Sequence, residues 1–380
     1  MNNLKILFAI TNLNKGGAER IALDICNELK SRSNVELKLV VFEAQNEYPF
    51  LTKDLDIILC NSKISYSILG KDKHEVSRFE AIVNDFKPNV IHTHLQVAEH
   101  LARQIPHKEI LYISHYHENC LLNILPLSKI LSNKKDFVFE YDRRQLLKKY
   151  RKCNNHFIAI SKDMEEFLFR ALPPDLHTIK LLPNAIDFNR FHQKEQKVIE
   201  GNELRLVTVG SLVDKKNQVF LVDVMKRLLA HGIHAHLDIL GDGENKQKIL
   251  EEINKAGLNE TISVRGKVDK VEEYLHRAHI YVHPALYEPF GLALLEAMAA
   301  GLPCVSLDGK GNRDIMIDGM NGYMVETPDA GLFAHRITEL WNNRELYGRM
   351  SHYAVDFAKK YDIKQYVDRL LAFYNQAIKV

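Results

Sequence analysis

Short apolar runs separated by stretches of helical period recur along the chain, and this alternation limits its possible folds more than any other feature. The runs at 4–10, 37–42, 56–60, 90–93, 110–114 and 157–160 have the character of buried strands. Helical stretches lie between several of them; in 18–30, Ile21, Ile25 and Leu29 form one apolar stripe. A second set begins at Leu204, with strand-like runs at 205–209, 237–240, 262–265, 280–283 and 304–307. Parallel strands need long crossovers, usually helical, so this pattern predicts α/β domains with parallel sheets covered on both faces. Ligands of such sheets bind beyond the carboxyl ends of the strands. At 380 residues there is enough chain for two such domains. The polar, charged segment 193–202 is placed as their link, giving domains at 1–195 and 196–362.

Composition narrows the class. The apolar fraction of 46% and charged fraction of 26% are those of an ordinary soluble protein, and a formal charge of +2 gives no reason to expect nucleic acid. Five scattered cysteines without a C-x-x-C favour reduced thiols in a cytoplasmic protein over a disulfide or zinc framework. The apolar run at 4–10 is too short to span a membrane and lacks a signal-peptide pattern.

The stretch 281–301, YVHPALYEPFGLALLEAMAAG, carries the most chemistry. It reads as strand, loop, helix, and the helix stops at Gly301 and Pro303. Glu288 precedes a proline and so belongs to the loop. Glu296 lies well inside the helix, about 12 Å further along if the span were wholly helical. Carboxylates that attack a sugar in retaining glycosidases stand only about 5.5 Å apart, so this pair suits gripping two ends of one long ligand. Between them, the amides of Phe290, Gly291 and Leu292 open outward at a helix start, where phosphate binds readily. A nucleotide-sugar has hydroxyls at both ends and phosphates in the middle. Taken alone, two such acids are more commonly a charge at a helix start and a solvated face.

Other features are weaker singly. Gly16 and Gly17, after the first strand, could bring amides close to a phosphate or form a plain tight turn; the nicotinamide fingerprint G-x-G-x-x-G is not met. His92, His94, His115 and His117 mark two strand ends. A metal is one reading of clustered histidines, but no carboxylate or cysteine sits at ligand spacing with them, and polar strand ends in a cleft explain them equally. Segment 127–153 holds nine Lys and Arg against Asp136, Glu140 and Asp142. It suits a solvated helix face first and an anionic membrane surface second.

The string from Glu288 to Glu296 resembles the E-x7-E element of glycosyltransferase family 4, retaining sugar transferases of the GT-B fold. Other segments match in chain order. Lys15 to Arg20 resembles the family's glycine pair. Pro183, Asn184, Ala185, Ile186, Asp187 and Phe191 resemble "PNGVD…F", with Ala185 for glycine. Gly210, Ser211, Leu212 and Lys216 resemble G-R-L-x-x-x-K, with Ser211 where relatives carry arginine. Gly241-Asp242-Gly243 matches "GDG", 318–322 matches "DGxNG", and Asp314 stands where glutamate is usual.

The resemblance implies two doubly wound Rossmann-like domains facing a cleft, with 363–380 as a C-terminal helix packing back on the first. It implies transfer of a hexose-type sugar, with retention and without a metal or cofactor, from a UDP-linked donor to a glycan or lipid-linked acceptor, in cell-surface polysaccharide synthesis. Glu288, His117 and Lys216 would be catalytic, with His115 the alternative to His117. The donor would be held by Gly16, Gly17, Ser211, Lys216, Gly266, Glu288, Pro289, Phe290, Gly291, Leu292 and Glu296. Arg265, Lys267 and Arg313 are candidates to replace the missing arginine. Relatives on lipid acceptors strengthen peripheral membrane contact through 127–153. The rivals are a nucleotide-sugar epimerase on the same fold, or a sugar-nucleotide-binding protein without turnover; a phosphorylase would need a pyridoxal-phosphate lysine, for which there is no convincing signal.

Overall fold

Each apolar run becomes a strand of a parallel sheet in the computed structural model, which describes residues 3–62, 64, 75–118, 122–193 and 201–378. The chain divides into two compact units: Met1–Asn184 with Ile363–Val380, and Ala185–Asp362. The boundary expected between 195 and 196 falls on residues outside the described set. Ala185, at the division, is buried and is not among the residues of positive φ, so the glycine of related sequences is not required there.

The first unit is built on a seven-stranded sheet: β1 (Leu4–Ile10), β2 (Val35–Val41), β3 (Ile57–Leu59), β4 (Val90–His94), β5 (Leu111–Tyr116), β6 (Asn154–Ala159) and β7 (Ile179–Leu181). Its order is β3-β2-β1-β4-β5-β6-β7, all parallel. The second sheet has six strands: β8 (Leu204–Val209), β9 (Ala235–Leu240), β10 (Ile262–Gly266), β11 (Ile280–His283), β12 (Cys304–Leu307) and β13 (Gly322–Val325), in the order β10-β9-β8-β11-β12-β13. Both run outward from the first strand and then reverse, so the switch points lie between β1 and β4 and between β8 and β11. Those are the positions at which doubly wound sheets bind ligands. Two strands are absent from the sequence reading. β7 is three residues with no buried position, and β13 begins at a glycine read as part of a turn.

Apolar strand faces and amphipathic helices close each core; Leu206, Leu237, Ile280 and Val305 of the second sheet pack with Met225, Phe333 and Trp341 of its helices. The C-terminal helix Ile363–Ile378 belongs to the first unit, where it buries Tyr366, Leu370 and Tyr374. Its exposed edge meets the helix Gly17–Lys30 nearby, where Arg32 pairs with Asp368 at 3.0 Å. Cys26, Cys60, Cys153 and Cys304 are free thiols, and Cys120 lies outside the described residues. No helix among the described residues is long and apolar enough to cross a membrane.

Glycine decides how closely the strand ends of the second unit approach. A Cβ on Gly241, whose φ is +143°, would lie 1.9 Å from the carbonyl oxygen of Gly210, and one on Gly243 would lie 2.5 Å from that of Leu212. The "GDG" segment therefore seats the loop after β8. Gly241→Ala should lower the thermal midpoint of the second unit by about 5 °C or more, the effect of a backbone shift costing about 2 kcal/mol. Calorimetry of the full chain checks this, and an unchanged midpoint would refute the packing role.

Candidate functional site

The loops that follow β8, β11 and β12 meet at the carboxyl end of the second sheet. Backbone bonds tie them: Leu286 N donates to Lys215 O at 2.9 Å, and Glu288 N donates to Gly309 O at 2.8 Å. Glu288 and Lys310 form a parallel bridge between two of these loops. The contact leaves no room for side chains on the glycine-rich loop. A Cβ on Gly309 would lie 2.8 Å from Glu288 Cβ, and one on Gly311 would lie 2.1 Å from Pro289 O. Asn312, fully buried, completes the loop by accepting from Gly309 N at 2.9 Å and donating to Ser306 Oγ at 2.8 Å.

Glu288 is thereby carried into the protein with its carboxylate. Lys216 forms an ion pair with its Oε2, and His283 Nε2 lies 3.1 Å from the same oxygen. Burial works against the charged form, but Lys216 and His283 together overcome it and hold the carboxyl well below the usual carboxylate range. Burial likewise lowers the His283 imidazole, against the pull of Glu288. His283 is a residue the sequence reading passed over as a strand end. Its signal was position: last residue of the strand at the switch point, five before the key glutamate.

The helix Leu292–Ala299 begins directly after this loop. Gly291 caps it with φ +105°, and a Cβ there would lie 2.9 Å from Leu294 Cδ1 and 3.0 Å from Ile315 Cδ1. The glycine is thus demanded by backbone and packing. The amides of the first turn have no helical carbonyl before them, and they carry the positive end of the helix dipole. Phe290 is buried with its ring 6.0 Å from that of Tyr361, which fixes the entry into the helix. Glu296 is half-buried about one turn into this helix and is engaged in the fold.

Lys216 and Ser211 share the loop after β8. Ser211 is exposed, and its carbonyl accepts from Gln218 Nε2 at 3.0 Å. Gly266, with φ +73°, closes β10 and accepts from Gly241 N at 2.8 Å. Of the cations considered as replacements for the missing arginine, Arg265 pairs with Asp238 at 2.7 Å and Arg313 binds Asp308 through Nε at 2.8 Å. Lys267 is also engaged.

The remaining candidates belong to the first unit. Gly16 precedes the helix Gly17–Lys30 in extended conformation, and its amide donates to Tyr48 Oη at 3.1 Å while its carbonyl accepts from the same hydroxyl at 3.0 Å. Beside it, burial raises the Glu19 carboxyl to about 6, with Glu118 and Glu47 adding to the rise. Tyr48 and Glu47 had no local sequence signal. His117, following β5, is half-buried, and burial takes its imidazole down to about 4 although Glu118 opposes. His115 Nε2 lies 3.2 Å from Asn184 Oδ1.

The pair at Glu288 has a consequence for stability. A carboxyl held low in the folded state contributes stability above its unfolded value of about 4.3 and loses it as pH falls through the folded value. Lys216→Met should cost about 3 kcal/mol in urea unfolding at pH 7, because a buried charge loses its partner. The gap from the unaltered protein should narrow at pH 3, where Glu288 of the variant protonates; a gap independent of pH would contradict the pairing.

Comparison with known proteins agrees with this arrangement. A model described as "Glycosyltransferase Family 4" matches residues 15–190, and one described as "Glycosyl transferases group 1" matches residues 189–357. The poly(glycerol-phosphate) alpha-glucosyltransferase of Bacillus subtilis is 27% identical over 59% of this chain and 33% of its own. The UDP-Gal:alpha-D-GlcNAc-diphosphoundecaprenol alpha-1,3-galactosyltransferase of Escherichia coli is 23% identical over 59% of this chain and 60% of its own. The chain thus spans less than two thirds of the length of either. Among solved structures, Anabaena Alr3699/HepE in complex with UDP and glucose superimposes with a TM-score of 0.75 at 17% identity, over 97% of this chain and 100% of that one. With two Rossmann-like parallel sheets and matches to both halves, the chain belongs to glycosyltransferase family 4 and has the GT-B fold.

Proposed function

We propose that this chain is a retaining hexosyltransferase, moving a hexose-type sugar from a UDP-linked donor to a glycan or lipid-linked acceptor in cell-surface polysaccharide synthesis. One observation supports this most: a buried carboxylate, its lysine and an open helix N-terminus meet at the carboxyl end of β11, at the switch point. The E. coli relative is named for a UDP-Gal donor and a diphosphoundecaprenol-linked acceptor, and the Anabaena neighbour was solved with UDP and glucose. Both favour a UDP-sugar.

In this reading the diphosphate lies against the amides of Phe290, Gly291 and Leu292, and Glu296 accepts hydrogen bonds from the ribose hydroxyls. Glu288, positioned through Pro289, receives hydroxyls of the transferred sugar. Lys216 divides its charge between Glu288 and the diphosphate, whose oxygens become more negative as the glycosidic bond breaks. Ser211 offers a hydroxyl, Gly266 borders the nucleobase, and Gly16 and Gly17 border phosphates and acceptor. His117, half-buried and neutral at pH 7, serves the transferred sugar, since His115 is buried. The leaving phosphate takes the acceptor proton on the face where the new bond forms, giving an α-linkage without a covalent nucleophile. Cations and amides meet the diphosphate charge in place of Mg²⁺.

Contact with the inner face of a membrane belongs to the same proposal. In 127–153, Glu140 is buried against Arg143 and Arg144, and Asp142 lies 3.0 Å from His100. Two of the acids are thus turned inward while Lys129, Lys134 and Lys135 are exposed beside Phe137. The rival reading, nucleotide-sugar binding without turnover, is favoured by Ser211 together with the pairing of Arg265 and Arg313 to acids.

Thermal shift against UDP, GDP, ADP and their sugars tests the donor. A ligand at one hundred times its Kd should stabilise by about 2.7 kcal/mol. Glu296→Ala should weaken UDP affinity about tenfold, the loss of one charged hydrogen bond. Glu288→Gln should lower turnover at least about 100-fold with UDP affinity little changed. Proton NMR of the product should give an α-anomer; a β-anomer, or donor binding without transfer across a broad acceptor set, would overturn the reading.

A further inference from the structure

We infer that His92, His94 and His115 form a binding site for a divalent transition-metal ion, zinc being the ion their imidazoles suit. One nitrogen of each lies within 4.8 Å of the others, and all three side chains are buried. Strand geometry brings them together. His92 and His94 are two apart on β4 and so share a face, and His94 pairs in register with His115 on β5. Their rings pack closely, with centroids 4.7 Å apart for His92 and His94 and 4.7 Å for His94 and His115.

The hydrogen bonds around the cluster are those of metal ligands. His115 directs Nε2 to Asn184 Oδ1 at 3.2 Å, leaving Nδ1 toward the cluster. His92 meets the Tyr374 hydroxyl through Nδ1, leaving Nε2 toward the cluster. His94 holds His117 Nε2 through Nδ1 at 2.8 Å. Metal-ligating imidazoles usually anchor their second nitrogen in this way, which fixes tautomer and ring orientation. His92 Nε2 and His115 Nδ1 are 3.2 Å apart. Two nitrogens of a tetrahedral zinc site stand about 3.3 Å apart, so this edge is already formed.

Without an ion, Tyr374, His92, His115 and Asn184 satisfy one another in a single chain of hydrogen bonds. That chain leaves over the Nε2 of His94, fully buried and without a hydrogen-bond partner. A buried nitrogen of this kind costs about 1–3 kcal/mol. A metal would give it a partner, and no proton would have to leave the site. The His92 proton moves from Nε2 to Nδ1, where the Tyr374 oxygen accepts it. Three imidazoles suit zinc, with the fourth position open to water or to a ligand oxygen. The site lies wholly in the first unit and does not depend on the donor assignment in the second.

Tag-free full-length protein, stripped with chelator and dialysed against zinc chloride, should retain one zinc per chain by elemental mass spectrometry. Cobalt(II) in its place should give the intense visible bands of four-coordination. His94→Ala should lower zinc affinity at least 100-fold. Tyr374→Phe removes one oxygen and keeps the ring, so it decides the matter if the first variant does not fold; it should lower affinity 10–100-fold. A folded protein retaining no stoichiometric zinc, or unchanged affinity in the folded variants, would overturn the proposal.

Discussion

Burial of one carboxylate governs the second unit. Glu288 gives up hydration because the loop carrying it is clamped between two others, and a charge so placed would be ejected or neutralised without a partner. Lys216 comes from the loop after β8, and His283 from the last residue of β11. The ends of β8 and β11 are therefore locked by a single charged cluster, to which the loop after β12 is tied through backbone bonds. The glycines around it follow from the same constraint: Gly309 and Gly311 admit the Glu288–Pro289 backbone, and Gly241 and Gly243 admit the loop holding Lys216. The helix Leu292–Ala299 is aimed by this assembly, which is how its first-turn amides come to open beside a buried charge pair.

The first unit solves a related problem with strand parity. Along β4 and β5, alternate residues face opposite sides of the sheet. One side takes His92, His94 and His115. The other takes Thr93 and Ser114, both bonded to a buried ion pair in which Arg103 and Glu99 lie 3.2 Å apart. Asn155 also accepts from Arg103 Nε at 2.7 Å, so the guanidinium is satisfied on several sides. A shift of one residue in register would exchange histidines for this network, which makes the pairing of β4 with β5 strongly specified.

The strands with continuous apolar runs were legible in the sequence, as were the switch-point loops, because both depend on local pattern. β7 and β13 were not: neither has a run long enough to show, and both form by pairing with a strand already in place. Glu288, Lys216 and the helix start were found from spacing and resemblance, yet the ion pair between Glu288 and Lys216 was not, since it joins residues on separate loops. His283 was missed for the same reason. Gly291 and the "GDG" glycines are demanded by packing that no local pattern shows: a Cβ on them would meet Leu294 and Ile315, Gly210, or Leu212. Arg265 and Arg313 looked like spare cations in sequence, but proximity to Asp238 and Asp308 is a tertiary fact.

The central claim is that a nucleoside diphosphate binds on the first turn of the helix Leu292–Ala299 beside Lys216. A crystal structure of the full chain soaked with UDP tests it most directly. The account predicts phosphate oxygens within hydrogen-bonding distance of the amides at 290–292 and of Lys216, with the ribose hydroxyls on Glu296. UDP bound elsewhere, with the Lys216–Glu288 pair closed and those amides facing protein or solvent alone, would contradict it.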